Sequence, residues 1–341
     1  MIPPKVLAVA TLAFATCLAL AGPAAAKKTA TTTYYLLALL TLALALLAVP
    51  ASAAAAKPRY VVSLGDSFSA GVQPGPGVSE SFSFPRVSYA NQMIPRARRL
   101  LDEPLRLEML ACGGATTESM PGAGIKPCSP GVGGFRLPYA NTSVRTSQLR
   151  YATSFLRQHR GQVAFVVMTM GGNDLLQCVD SATGAFDLTC ITNAYYIIAA
   201  HLPAIARRIR RAAGPGVPLL GGGYFDPYLQ FYLRGPAQQP LAQASLDIAA
   251  QLNSTMKTAY QRVGWRFVDV STAFGTNIPF DQTTNLEPYG QIPTAVAMVC
   301  EMSWMCTPPP MGPNIHPNRA GYAAYASAFL RVLKTAVRVA G

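Results

Sequence analysis

The 341-residue chain is expected to fold as a single-domain, three-layer α/β/α structure around a parallel five-stranded sheet. Three observations predict this. Five short apolar runs rich in Val, Leu or Phe recur along the chain, as strands covered on both faces do. Segments with helical spacing of apolar residues alternate with them, the pattern of a parallel sheet with helices on both sides. Half of the residues are hydrophobic and only 13% are charged, which suits a large buried core and excludes a disordered chain.

The first strand is expected at 60–64, ending abruptly at Gly65-Asp66-Ser67, and the others at 105–111, 163–170, 217–221 and 265–270. Helices are expected at 87–101, 146–159, 195–213, 242–263 and 320–339. In the third of these, Leu202, Ile205, Ile209 and Ala213 keep one face apolar and leave Arg207, Arg208, Arg210 and Arg211 on the other. Residues 271–313 hold three successive prolines and little helical periodicity, so they read as a long loop, either functional or disordered.

Residues 1–53 read as a leader outside the domain, which then spans 54–341. They contain no Asp or Glu and two apolar runs, 6–26 and 34–49, each with a basic start and a small-residue end. Cleavage near Ala53 and secretion are expected; retention of 34–49 as a membrane anchor is the alternative, short for a span of about twenty residues. Removal of 1–53 takes Lys5, Lys27 and Lys28 from a net charge of +13 and leaves +10. That balance suits an anionic cell surface or membrane. Nucleic acid is not expected as a partner, because no aromatic residues interleave with the arginines.

Outside the leader six cysteines remain, and their spacings suggest three local disulfides: Cys112 with Cys128, Cys178 with Cys190, and Cys300 with Cys306. No Cys-x-x-Cys pair is present and there are three histidines, so no zinc site is expected. His159 and His201 sit within helical patterns and read as structural.

Ligands of open α/β sheets bind beyond the carboxyl ends of the strands. The loops there are Gly65-Asp66-Ser67, Cys112-Gly113-Gly114-Ala115-Thr116-Thr117 and Gly171-Gly172-Asn173-Asp174, with Asn314-Ile315-His316-Pro317-Asn318 before the last helix. A serine hydroxyl needs a base to become a nucleophile, and histidine is suited to that at neutral pH. Ser67 and His316 supply such a pair. No Gly-x-Ser-x-Gly surrounds Ser67, which excludes the α/β-hydrolase elbow. Glycines 221–223 lack the lysine of a phosphate loop and read as a site of close packing.

The string Ser63-Leu64-Gly65-Asp66-Ser67-Phe68-Ser69-Ala70-Gly71 resembles the first block of the SGNH (GDSL-type) hydrolases. Gly114 resembles the glycine of their second block as actinobacterial lipase- and esterase-like members write it. Gly171-Gly172-Asn173-Asp174 and His316-Pro317-Asn318, with Gly321-Tyr322, resemble the remaining two. The resemblance implies a flavodoxin-like sheet and a secreted serine esterase or lipase working through an acyl-enzyme without cofactor or metal. Ser67 is then the nucleophile and His316 the base, with the N–H groups of Ser67 and Gly114 and the amide of Asn173 as oxyanion hole. Such donors are worth about 3 to 4 kcal/mol each.

The family usually places an aspartate three residues before its histidine; here that position is Pro313. Its carbonyl is expected to orient the imidazole, with Asp269 and Asp281 as distant alternatives. Asp66 and Asp174 are expected to brace their loops. The cluster Met298, Met302, Trp304 and Met305 reads either as a small core under the long loop or as the rim of an acyl pocket. Expected substrates are acyl esters of lipids or small alcohols. The alternatives are acetylated polysaccharides, or an inactive secreted binding protein of the same fold.

Overall fold

In a computed structural model the described residues are 57–75, 82–83, 86–122, 147–180 and 183–338. The leader expected at 1–53 lies outside them. From Lys57 onward the chain is one compact unit.

The sheet is the predicted one. Strands β1 (Arg59–Gly65), β2 (Leu105–Met109), β3 (Val163–Thr169), β4 (Leu219–Gly222) and β5 (Arg266–Val268) are all parallel, in the order β2-β1-β3-β4-β5. Central strand β3, Val-Ala-Phe-Val-Val-Met-Thr, is buried at every residue, which is why it reads as a continuous apolar run. The chain steps from β1 to one side and then returns to its other side, so the strand order reverses between β1 and β3. That switch point leaves a crevice at their carboxyl ends.

The helices are α1 (Ser67–Ala70), α2 (Tyr89–Leu101), α3 (Gln148–Gln158), α4 (Gly172–Leu176), α5 (Leu188–Ala213), α6 (Gln239–Gln261), α7 (Thr294–Met302) and α8 (Arg319–Arg338). Helices α2 and α8 pack together in one layer, while α5 packs against α3 and α6 in the other. Stacked rings fill the α2/α8 side: Tyr89 on Phe329 at 4.5 Å and Phe225 on Phe274 at 4.2 Å. Glycines 221 and 222 admit close packing of helices on β4, since a Cβ there would meet the rings of Tyr260 from α6 and Phe329 from α8 at 2.5 and 2.6 Å.

Helix α5 is long and apolar enough to cross a membrane, but one face of it, with Ile191, Ile198, Leu202, Ile205 and Ile209, is buried in the core. It starts seven residues before the expected Tyr195, where Asp187 caps the N–H groups of Thr189 and Cys190. Near its other end Arg210 donates to the carbonyls of Gly214, Val217 and Gly264. Its neighbours Arg207, Arg208 and Arg211 are exposed.

Residues 271–313 are more ordered than a loop. They hold a hairpin of β6 (Thr283–Leu286) and β7 (Gly290–Pro293), then α7, then β8 (Ser303–Trp304), which pairs antiparallel with β9 (Asn314–Pro317) just beyond them. Disulfides join Cys178 to Cys190 and Cys300 to Cys306. Cys112 is also disulfide-bonded, and its expected partner Cys128 lies outside the described residues.

Candidate active site

Strand β1 ends at Gly65, whose φ of +111° favours glycine, and a Cβ there would run into the Thr169 carbonyl of β3. The main-chain groups of Gly65 are held by one side chain. Gln148 at the start of α3 accepts from Gly65 N at 2.8 Å and donates to Gly65 O at 3.0 Å. The next residue, Asp66, caps α1 by accepting from Phe68 N at 3.0 Å. It also accepts from Thr169 Oγ1 at 2.9 Å and, by a short bond, from Tyr224 Oη. Ser67 therefore occupies the first position of a turn tied to β3 and to the segment after β4, and it is 8% exposed.

Behind Ser67, the Ser69 hydroxyl bonds to Tyr89 Oη and Thr169 Oγ1, both at 2.7 Å. Burial raises the Asp66 carboxyl to about 6, against the lowering effect of its hydrogen bonds. The Tyr224 phenol is held well above its ordinary value by burial and by Asp66, so it is the donor of their bond.

The loop after β2 runs beside the serine: a Cβ on Gly113 would lie 3.9 Å from that of Ser67. Gly114 follows with φ of +73°. Asn173 on α4 donates to Ala115 O at 2.9 Å, and Asp174 accepts from both the N–H and the hydroxyl of Thr117. Asp66 and Asp174 thus brace their loops.

His316, 6% exposed, sits on β9 with its ring 5.5 Å from that of Phe68, the neighbour of Ser67. Burial lowers its pKa to about 3. The acceptor facing Nδ1 is not the carbonyl of Pro313 but the next residue: Asn314 Oδ1 lies 2.7 Å away. An asparagine two residues before the histidine is the sequence signal of such a local turn. Asp269 is engaged with Ser271 and Thr272.

An apolar cavity of about 70 Å³ opens beside Ser67 and Asn173, and Ile315 reaches it from the histidine strand. Its walls include Leu175, Tyr224, Tyr228, Ile248, Ala249 and Leu252. The Met- and Trp-containing segment does not line it. Trp304 instead donates to Gln73, whose amide donates to Pro317 O at 2.7 Å and so supports the histidine strand. Asp226 closes one side, buried and raised to about 6, accepting from Tyr228 N and Ser245 Oγ. Among the described residues no group of three or more His, Cys, Asp or Glu is placed to hold a metal ion.

Solved structures resemble the chain. A phospholipase A1 from Streptomyces albidoflavus and an extracellular lipase from Streptomyces rimosus are each 20% identical, with TM-score 0.48 over 81% of this chain and 99% of theirs. A catalytic mutant of an acetylxylan esterase from Geobacillus stearothermophilus is 16% identical, with TM-score 0.44 over 81% and 94%. No curated protein matches the chain. Residues 63–324, which contain all four clustered segments, match the GDSL-like lipase/acylhydrolase family, and the chain belongs to that family of ester hydrolases.

Proposed function

We propose that the protein hydrolyses carboxylic esters through an acyl-enzyme on Ser67, with His316 as general base. The observation that carries this is the meeting of four segments, distant in sequence, at the carboxyl end of β1 beside an apolar cavity. Ser67 Oγ attacks the ester carbonyl as its proton passes to His316 Nε2. The oxyanion forms within reach of the N–H groups of Ser67 and Gly114 and of the Asn173 amide. One N–H of that amide is committed to Ala115 O and holds the side chain in place. The imidazolium then gives its proton to the departing alkoxide. Water, activated by the same imidazole, releases the acid and restores Ser67.

The cavity points to acyl esters of lipids or small alcohols as substrates, since apolar walls favour a hydrocarbon chain over a sugar. Export fits the disulfides, which persist in oxidising compartments. Arg207, Arg208 and Arg211 lie at the end of α5 that leads into β4, on the sheet edge away from Ser67. An anionic surface held there leaves the site open.

Labelling with a fluorophosphonate tests this reading, because only an activated serine reacts. Expected is a single adduct mapped to Ser67 and none in Ser67→Ala or His316→Ala. An unlabelled wild-type protein, folded by circular dichroism, would leave the chain an inactive member of the fold.

A further inference from the structure

Two N–H groups of one residue converge on a single side-chain oxygen. Asn314 Oδ1 lies 3.0 Å from the main-chain N of His316 and 2.7 Å from its Nδ1. The main-chain N–H is a donor at every pH, so the Asn314 amide must turn its oxygen, not its NH₂, toward His316. With an acceptor fixed there, the proton of a neutral imidazole belongs on Nδ1, and the lone pair is left on Nε2.

We propose that Asn314 is the positioning residue of His316, holding the ring and the tautomer in which Nε2 takes the Ser67 proton. The inference rests on His316 being the base. It replaces the carboxylate that usually serves this purpose with a neutral amide, held by main-chain hydrogen bonding rather than by charge.

The surroundings agree. Asn314 pairs with Trp304 across the β8/β9 ladder, so its backbone is fixed. Asp66 is committed to Phe68 N, Thr169 and Tyr224. Asp269 is committed to Ser271 and Thr272. Burial lowers the pKa of His316, and the Asn314 oxygen beside Nδ1 belongs to a neutral amide.

Asn314→Asp and Asn314→Ala, measured beside His316→Ala, test the inference through kcat, KM and the pH profile of kcat/KM. The aspartate retains an oxygen for the His316 N–H and therefore the local turn, but its charge favours the imidazolium. Expected for Asn314→Asp is a kcat within about fivefold of wild type and an acid limb moved up by about one pH unit or more. Asn314→Ala should lose about ten- to a hundredfold in kcat with little change in KM, because the tautomer is no longer set. An acid limb of Asn314→Asp that superimposes on wild type, or an Asn314→Ala variant with full kcat, overturns the role of Asn314 while the base assignment stands. Full activity in His316→Ala overturns the base assignment, and the inference with it.

Discussion

The phenol of Tyr224 donates a short hydrogen bond to the buried carboxyl of Asp66, joining the segment after β4 to the turn that presents Ser67. A carboxyl raised to about 6 from an ordinary 3.8 holds its proton in the folded chain after the unfolded chain has released it. Its contribution to stability is therefore full below pH 3.8 and is lost as pH rises through about 6.

Tyr224→Phe removes a donor that favours the carboxylate, so it pushes the Asp66 pKa further up. The expected loss is about 1 to 3 kcal/mol above pH 7 and smaller below pH 5, where the carboxyl is protonated. Urea unfolding at pH 5 and pH 8 measures this. Equal losses at both values would mean that the bond does not depend on the charge of Asp66.

As the proposed base His316 has to be neutral to accept the serine proton, and burial lowers its pKa from 6.5 to about 3. Lowering the pKa of a base extends activity toward acid, so the acid limb of kcat/KM should have its midpoint below about pH 5. The same shift has a cost. The unfolded chain gains this proton near pH 6.5 and the folded one only near 3, so stability falls as pH drops through that window. Activity on a soluble ester from pH 3.5 to 9 checks the first point; a midpoint at 6.5 would show that the imidazole is hydrated in the free enzyme.

Ala249 and Leu252, from one face of α6, line the cavity beside Ser67. Ala249→Leu adds three carbons to a space of about 70 Å³. The expected result with p-nitrophenyl esters is kcat/KM for octanoate reduced about tenfold or more, with acetate within about twofold, since overpacking excludes only what needs the space. A uniform loss across chain lengths would place the acyl group elsewhere.

Strand β3 is legible in the sequence because a strand covered on both faces has no polar residue to break its apolar run, whereas the edge strand β2, Leu-Arg-Leu-Glu-Met, shows as an alternation of apolar and charged residues. The segments bearing Ser67, Gly114 and Asn173 stand out because polar residues and glycines follow strands directly, and that of His316 because its polar cluster immediately precedes the last helix. Helix α7, Thr-Ala-Val-Ala-Met-Val-Cys-Glu-Met, is nearly apolar all round, so no period of 3.6 marks it. The Leu188 start of α5 is hidden by β-branched residues of low helix propensity, although Asp187 is a cap signal. The cavity wall is illegible for another reason. It combines α4, the 3₁₀ turn Pro227–Arg234 and α6, and nothing local in any of them announces that they meet. Asn314 escapes a search for a carboxylate at the position of Pro313, yet its spacing to His316 was readable as a turn.

The bidentate hold of Gln148 on Gly65 bridges 83 residues, the Thr169 bond to Asp66 bridges 103, and the Tyr224 bond 158. The turn carrying Ser67 is therefore not a self-sufficient local motif, because the side chains of Gln148, Thr169 and Tyr224 that fix it are synthesised long after it. A growing chain carries the serine before these partners exist and acquires the geometry around it only after α3, β3 and the segment following β4 have docked. His316 arrives later still. The chemistry proposed for Ser67 is thereby coupled to completion of the fold, and a fragment that ends before these partners keeps the Gly-Asp-Ser sequence without the geometry around it.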